Sequence, residues 1–229
     1  MLDRLRRTAG WPALLLMALM TGIIVLTACC GGDDDVAAIL KQAKASTEEI
    51  VVGISMYVLV DDLESPDPAF SSRRTEDELE VILAGMNGIW SQANIRLELD
   101  VLDTIQVDAE VLSRVARGNN RAFFDKLGGG IPFNVAGPDS SLISGFYTKQ
   151  AGGANGITPL GTGWYMVIGE PSVFDRRVSS HEVGHILGLR HTRADRGRLL
   201  YSGTNGMTLT PEEITLARYV TSELLRARK

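Results

Sequence analysis

All three histidines of the 229-residue chain lie in one short stretch, HEVGHILGLRH, at residues 181–191. On an α-helix, residues four positions apart lie on one face about a turn apart, so His181 and His185 direct their imidazoles at one point. His191 follows six residues after His185, too far along a straight helix to reach that point. Gly188 tolerates a left-handed backbone, so we predict that the helix ends there and that the chain brings His191 back.

This arrangement predicts a metal centre in which the three histidines are the ligands. Glu182 directly follows the first histidine, so its carboxylate lies beside the metal, where it can take a proton from water; HExxH on a helix is a zinc signature with this chemistry. Structural zinc sites are usually closed by four ligands, often cysteines, whereas catalytic sites keep three and leave one position open. The only cysteines are Cys29 and Cys30, far from the motif. We therefore predict one catalytic Zn²⁺.

The stretch fits the metzincin pattern HExxHxxGxxH at all its specified positions. Over about residues 49–229 the chain resembles the catalytic domains of that clan, which include matrixins and matrixin-like bacterial secreted proteases. The resemblance implies a zincin fold: a twisted, mostly parallel sheet with an antiparallel edge strand, two long helices, and a small C-terminal subdomain with a last helix. It also implies a monomeric zinc endopeptidase that cleaves protein or peptide substrates, with Glu182 as general base for a zinc-activated water.

The sequence departs from the metzincin pattern at one place. Metzincins carry a methionine turn shortly after the third histidine, and Leu199-Leu200-Tyr201 lies where relatives often have Leu-Met-Tyr. We expect Leu200 in the methionine's place, with Met207 as the alternative; leucine and methionine have similar volumes and exchange in cores at modest cost. Tyr201 either helps to stabilise an oxyanion or packs within the turn. This departure favours a second hypothesis, a non-catalytic surface-binding lipoprotein with a metzincin-like fold, but the intact Glu182 favours the enzyme.

The N-terminus has the pattern of a bacterial export signal. A basic start precedes an apolar run at residues 13–28, which is typical of a secretory signal peptide. The sequence LTAC at residues 26–29 resembles the lipobox, in which a peptidase cuts before a lipid-modified cysteine. We expect residues 1–28 to be removed, Cys29 to be acylated, and residues 29–48 to form a tether. The alternative is an uncleaved membrane anchor, although about 20 apolar residues are needed to span a bilayer.

Both interpretations of the N-terminus place the remaining chain outside the cytoplasmic membrane, in the bacterial cell envelope, because the arginines stay inside. The formal net charge of −5 gives no indication of nucleic-acid binding. Calcium sites are possible in proteins of this kind, but no acidic loop here has a calcium-binding spacing.

Hydrophobic patterns along the chain predict alternating strands and helices, and therefore an α/β fold with a mostly parallel sheet. Strands are predicted at residues 50–60, 95–102, 132–136 and 164–168, and helices at about 72–93, within 111–127, at 175–188, and from Thr210-Pro211 onward. Residues 137–163 are rich in Gly, Ser and Thr, and we predict irregular structure there. The exception is an edge strand within residues 154–160 (ANGITPL), with which an extended substrate can pair.

Overall fold

The computed structural model describes residues 48–123, 142–159, 162–168, 175–203 and 206–227. Every described residue belongs to one compact unit of the chain. The predicted signal peptide, Cys29, nearly all of the tether and the predicted strand at 132–136 lie outside the described residues. Within the described ranges, no helix combines the length and the apolar character that crossing a membrane requires.

In the described part of the chain, five strands form one sheet in the order β2-β1-β3-β5-β4. They are β1 (Ile50–Val60), β2 (Ile95–Gln106), β3 (Ile143–Thr148), β4 (Gly156–Ile157) and β5 (Trp164–Ile168). The first four strands in that order run parallel to one another, and β4 lies antiparallel to β5 at the edge. The structure thus confirms the predicted α/β fold, with its mostly parallel sheet and its antiparallel edge strand.

Within the residues that the structure describes, four α-helices accompany the sheet: α1 (Glu76–Trp90), α2 (Ala109–Ala116), α3 (Asp175–Ile186) and α4 (Pro211–Arg226). Capping boxes begin two of them, formed by Thr75 with Glu78 at α1 and by Thr210 with Glu213 at α4. In each box the threonine side chain accepts a hydrogen bond from the backbone N–H of the glutamate, and the glutamate side chain accepts one from the backbone N–H of the threonine. The pair at Thr210 explains why α4 begins where the sequence pattern predicts, and the pair at Thr75 explains why α1 begins at Glu76, four residues after the start of the predicted range.

The two faces of the sheet bury different helices. The larger core packs α1, α3 and part of α4 against β1, β3 and β5, whereas the smaller core packs α2 against the opposite face. Arg218 of α4 donates to the carbonyl oxygens of Ala93 (2.7 Å) and Glu48 (2.8 Å), which ties the last helix to the starts of β1 and β2. The C-terminal helix is therefore part of the same compact unit as the sheet.

Apart from the predicted edge strand, irregular structure was predicted for residues 137–163, and this prediction is wrong for β3, which lies in the middle of the sheet. Gly145 and Ser144 in this strand suggest a loop when the sequence is considered alone. In the structure, a Cβ on Gly145 would collide with the Cζ and hydroxyl oxygen of Tyr165 on β5. The missing side chain thus makes room for a buried tyrosine from the neighbouring strand.

Candidate metal centre

The helix α3 carries the first two histidines and ends where the chain must turn back. The N–H of Gly188 donates to the carbonyl oxygen of His185 (3.1 Å), and the N–H of Leu189 donates to that of Gly184 (2.8 Å). Gly188 has φ +84°. This pair of hydrogen bonds around a left-handed glycine is a Schellman motif, which stops the helix and reverses the chain.

The reversal brings the three imidazoles together. The Nε2 atom of His191 lies 2.9 Å from Nε2 of His181 and 3.1 Å from Nε2 of His185. The candidate ligand atoms of the three residues all lie within 4.8 Å of one another. We call this group the histidine cluster.

Hydrogen bonds orient two rings of the histidine cluster for metal binding. Nδ1 of His181 lies 2.7 Å from the carbonyl oxygen of Leu199, and Nδ1 of His185 lies 2.9 Å from that of Leu189. Since a carbonyl oxygen only accepts, each Nδ1 carries the proton and each neutral ring presents the lone pair of Nε2. Burial lowers the pKa of His181 to about 4 and also lowers the pKa of His185, which favours the neutral rings.

The donor set fits the metal that the sequence predicts. Three imidazole nitrogens that converge on one point are a ligand set that catalytic zinc sites use, together with one open coordination position. Backbone carbonyls that hold the remote ring nitrogens are the usual support of such ligands. The histidine cluster can therefore hold a metal ion, and zinc is a metal to which its donors are suited.

The turn at Leu199-Leu200-Tyr201 lies against α3 between the two helical histidines. Leu200 is fully buried, and a Cβ on Gly184 would lie 2.9 Å from its Cδ2 atom, so the leucine side chain contacts the helix there. Met207, the alternative occupant of this position, is 40% exposed. Tyr201 follows in the same turn, where its ring lies next to Gly203.

Arg177 was missed by the sequence analysis, although it lies one helical turn before His181. Its buried guanidinium donates to the carbonyl oxygens of Tyr201 (2.9 Å), Gly206 (3.1 Å) and Leu199 (3.3 Å). Burial lowers the pKa of Arg177, and the charge of Glu182 opposes this shift. The carbonyl of Leu199 also accepts from His181, so Arg177 holds the backbone that orients a candidate ligand. The sequence feature that could have identified it is its position four residues before His181, which places the two side chains on the same face of a helix.

Glu182 is buried, with 5% of its surface exposed, and it lies against the edge strand β4. The hydroxyl of Thr158, one residue beyond β4, lies 2.7 Å from the carboxylate atom Oε2. Burial raises the pKa of Glu182 to about 7, while the Thr158 hydrogen bond and the positive charge of Arg177 act in the opposite direction. Thr158 was also missed as a site residue, although residues 154–160 were predicted to contain an edge strand.

Comparisons with known proteins concern the fold. The chain matches no protein-family model, and no curated protein sequence matches it. Among solved structures it is similar to a chain described as "Structure of a chaperone-substrate complex", with a TM-score of 0.57 and 12% identity over 80% of this chain. The match spans 36% of that longer chain. At this identity the likeness supports the fold alone.

A second solved structure is archaemetzincin from Methanopyrus kandleri, at 17% identity and a TM-score of 0.43. The match covers 78% of this chain and 94% of that chain. With so low a TM-score, the likeness adds nothing to the evidence from the histidine cluster itself.

Proposed function

We propose that this protein is a monomeric zinc endopeptidase of the metzincin type, which cleaves protein or peptide substrates. The observation that carries the proposal is the convergence of three imidazoles in the histidine cluster, with the buried Glu182 directly after the first of them on α3. When bound by His181, His185 and His191, zinc supplies a Lewis acid that polarises water and the scissile carbonyl. The metzincin pattern of the motif supports this assignment over a structural metal site.

The residues of the chain provide the proton transfer and the place for the substrate. Glu182 accepts a proton from water as the water oxygen bonds to the peptide carbonyl carbon; the C–N bond then breaks and the proton passes to the leaving amine. The strand β4 is last in the sheet order, so an extended peptide can pair with its outer side. A peptide there lies next to Glu182, because Gly156 of β4 contacts the glutamate side chain.

Peptide cleavage by the full chain tests this proposal. We expect the zinc-loaded protein to cleave a peptide library and a chelator to abolish the cleavage. Glu182→Gln should retain one zinc per chain, measured by elemental analysis, but lower kcat about 100- to 10,000-fold, the usual contribution of a general base. Glu80→Gln, at an exposed position of α1, is the matched control and should behave like the wild type.

A folded, zinc-loaded wild type that cleaves no peptide contradicts the proposal and favours the non-catalytic binding protein instead. If Glu182→Gln retained full activity, the assignment of the general base would be wrong even if cleavage depended on zinc.

We also propose that the mature protein is held at the bacterial cell envelope by a lipid on Cys29. The support is the sequence pattern at residues 1–29, with its basic start, its apolar run and its lipobox-like LTAC. Mass spectrometry of the mature N-terminus should find an acylated Cys29, and Cys29→Ser should abolish this processing while Cys30→Ser does not. A mature protein that still begins at Met1 contradicts this proposal.

A further inference from the structure

We infer that Thr158 is a positioning residue for Glu182, because its hydroxyl fixes the carboxylate of the proposed general base against the edge strand. The inference rests on the proposed function and adds to it a residue outside the HExxHxxGxxH motif. The hydrogen bond of Thr158 links the end of β4, the strand that would bind substrate, to Glu182, the residue that would transfer the proton.

The contact between the edge strand and Glu182 is close and specific. The Thr158 hydroxyl oxygen lies 2.7 Å from Oε2 of Glu182 and 3.0 Å from the backbone carbonyl oxygen of the same residue. A Cβ on Gly156 would lie 2.6 Å from Oε1 and 2.9 Å from Cδ of Glu182. One carboxylate oxygen therefore rests against the backbone of β4, and the other accepts a hydrogen bond from the threonine two residues further on.

The two acceptors of Thr158 suit a carboxyl group that gains and loses a proton during a reaction. While Glu182 is a carboxylate, the hydroxyl donates to Oε2. After Glu182 has accepted a proton, its O–H can donate to the threonine oxygen, and the threonine proton can turn to the backbone carbonyl of Glu182. In both arrangements each proton has an acceptor, so the carboxyl group keeps its place.

Steady-state kinetics of the zinc-loaded full chain provide the first test. Thr158→Val replaces the hydroxyl by a methyl group and should lower kcat about ten- to a hundredfold, as expected when a charged group loses a hydrogen bond. KM should change little, and Thr158→Ser should restore most of kcat. Thr162→Val is the matched control, because the hydroxyl of Thr162 donates to the carbonyl oxygen of Pro159 in the same segment.

Two outcomes of the kinetic test overturn the inference. If Thr158→Val had the kcat of the wild type, the hydroxyl would not hold the base. If Thr158→Ser were as slow as Thr158→Val, the side-chain shape rather than the hydroxyl would matter, since a purely packing role is not restored by serine.

A second measurement needs neither zinc nor activity. In the metal-free full chain, Thr158→Val should lower the urea midpoint of unfolding, because the buried carboxylate loses its partner. In a Glu182→Ala background the same substitution should lower it by less than about half as much, the sign of a direct interaction. Equal shifts in the two backgrounds overturn the inference.

The two measurements separate the failure of this inference from the failure of the proposed function. An inactive wild type contradicts the proposed function, and the unfolding cycle then still decides whether Thr158 holds Glu182. If the wild type is active but Thr158→Val shifts the urea midpoint equally in the wild-type and Glu182→Ala backgrounds, the proposed function is retained and Thr158 does not position Glu182.

Discussion

Arg177 supports the histidine cluster without belonging to it. A buried guanidinium is stable only where its N–H groups find acceptors. Here they find three backbone carbonyls of the segment that follows His191, and one of these, at Leu199, also orients His181. The Arg177 side chain on α3 therefore fixes the backbone of the segment after His191. This segment contains Leu200, at the position where the resemblance to the metzincin pattern implies a methionine.

Arg177→Met should disturb both the fold and the metal centre. We expect the free energy of unfolding to fall by about 1–3 kcal/mol, because buried carbonyls lose their donor. Zinc affinity should fall about 10- to 100-fold, as is usual when the support of a ligand is removed. Calorimetric titration and urea unfolding of the metal-free protein measure the two effects. The exposed neighbour Arg176→Met is the control, and an unchanged zinc affinity in Arg177→Met would contradict the role assigned to Arg177.

At the scale of secondary structure, elements with a strong local signal were predictable. The bounds of β1 and β5 agree with their apolar runs, and α4 begins at Pro211 after a capping threonine, as expected. β3 was missed because its stability comes from its neighbours on both sides, β1 and β5, and from the fit of Gly145 against Tyr165. Such a fit involves residues far apart in the sequence and leaves no local pattern.

The same distinction applies to the residues of the site. The spacing of the three histidines is local, so the sequence alone predicts their convergence. The contacts of Thr158 and Arg177 depend on how the edge strand and the later turn pack on α3. The sequence contains both residues but not these contacts, and only the fold brings them to the histidines.

The end of α3 provides a test at the scale of an element. Gly188→Ala should strain the left-handed position, and its Cβ would lie 3.0 Å from Cγ2 of Val220. We expect a loss of about 1–2 kcal/mol in unfolding free energy and weaker zinc binding, because the reversal that returns His191 is disturbed. Gly153→Ala is a matched control, since Gly153 has φ +83° and a Cβ there meets nothing within 4 Å.

Both substitutions should destabilise the protein, but only Gly188→Ala should weaken zinc binding in a calorimetric titration. Equal zinc affinities in the two variants would mean that the position of His191 does not depend on the helix end.

At the scale of the whole molecule, a metal at the histidine cluster joins two parts of the chain. His181 and His185 belong to α3, whereas His191 belongs to the segment that leads to the turn at Leu200. That segment is also tied to α4, because Arg198 forms an ion pair with Glu213 (2.6 Å). A bound ion therefore adds a cross-link between the helix on the sheet and the C-terminal part of the compact unit.

Binding to the folded state alone raises stability by an amount that depends on the free ligand concentration. At free zinc about 100 times Kd the gain is about 2.7 kcal/mol, which for a chain of this size raises Tm by about 5–10 °C. We expect chelation to remove this gain in the full chain, measured by calorimetry across a series of free zinc concentrations. His191→Ala should strongly reduce the dependence of Tm on the zinc concentration, because one ligand of three is lost. A Tm that did not respond to zinc in the wild type would show that the three imidazoles, although they converge, do not form a metal site.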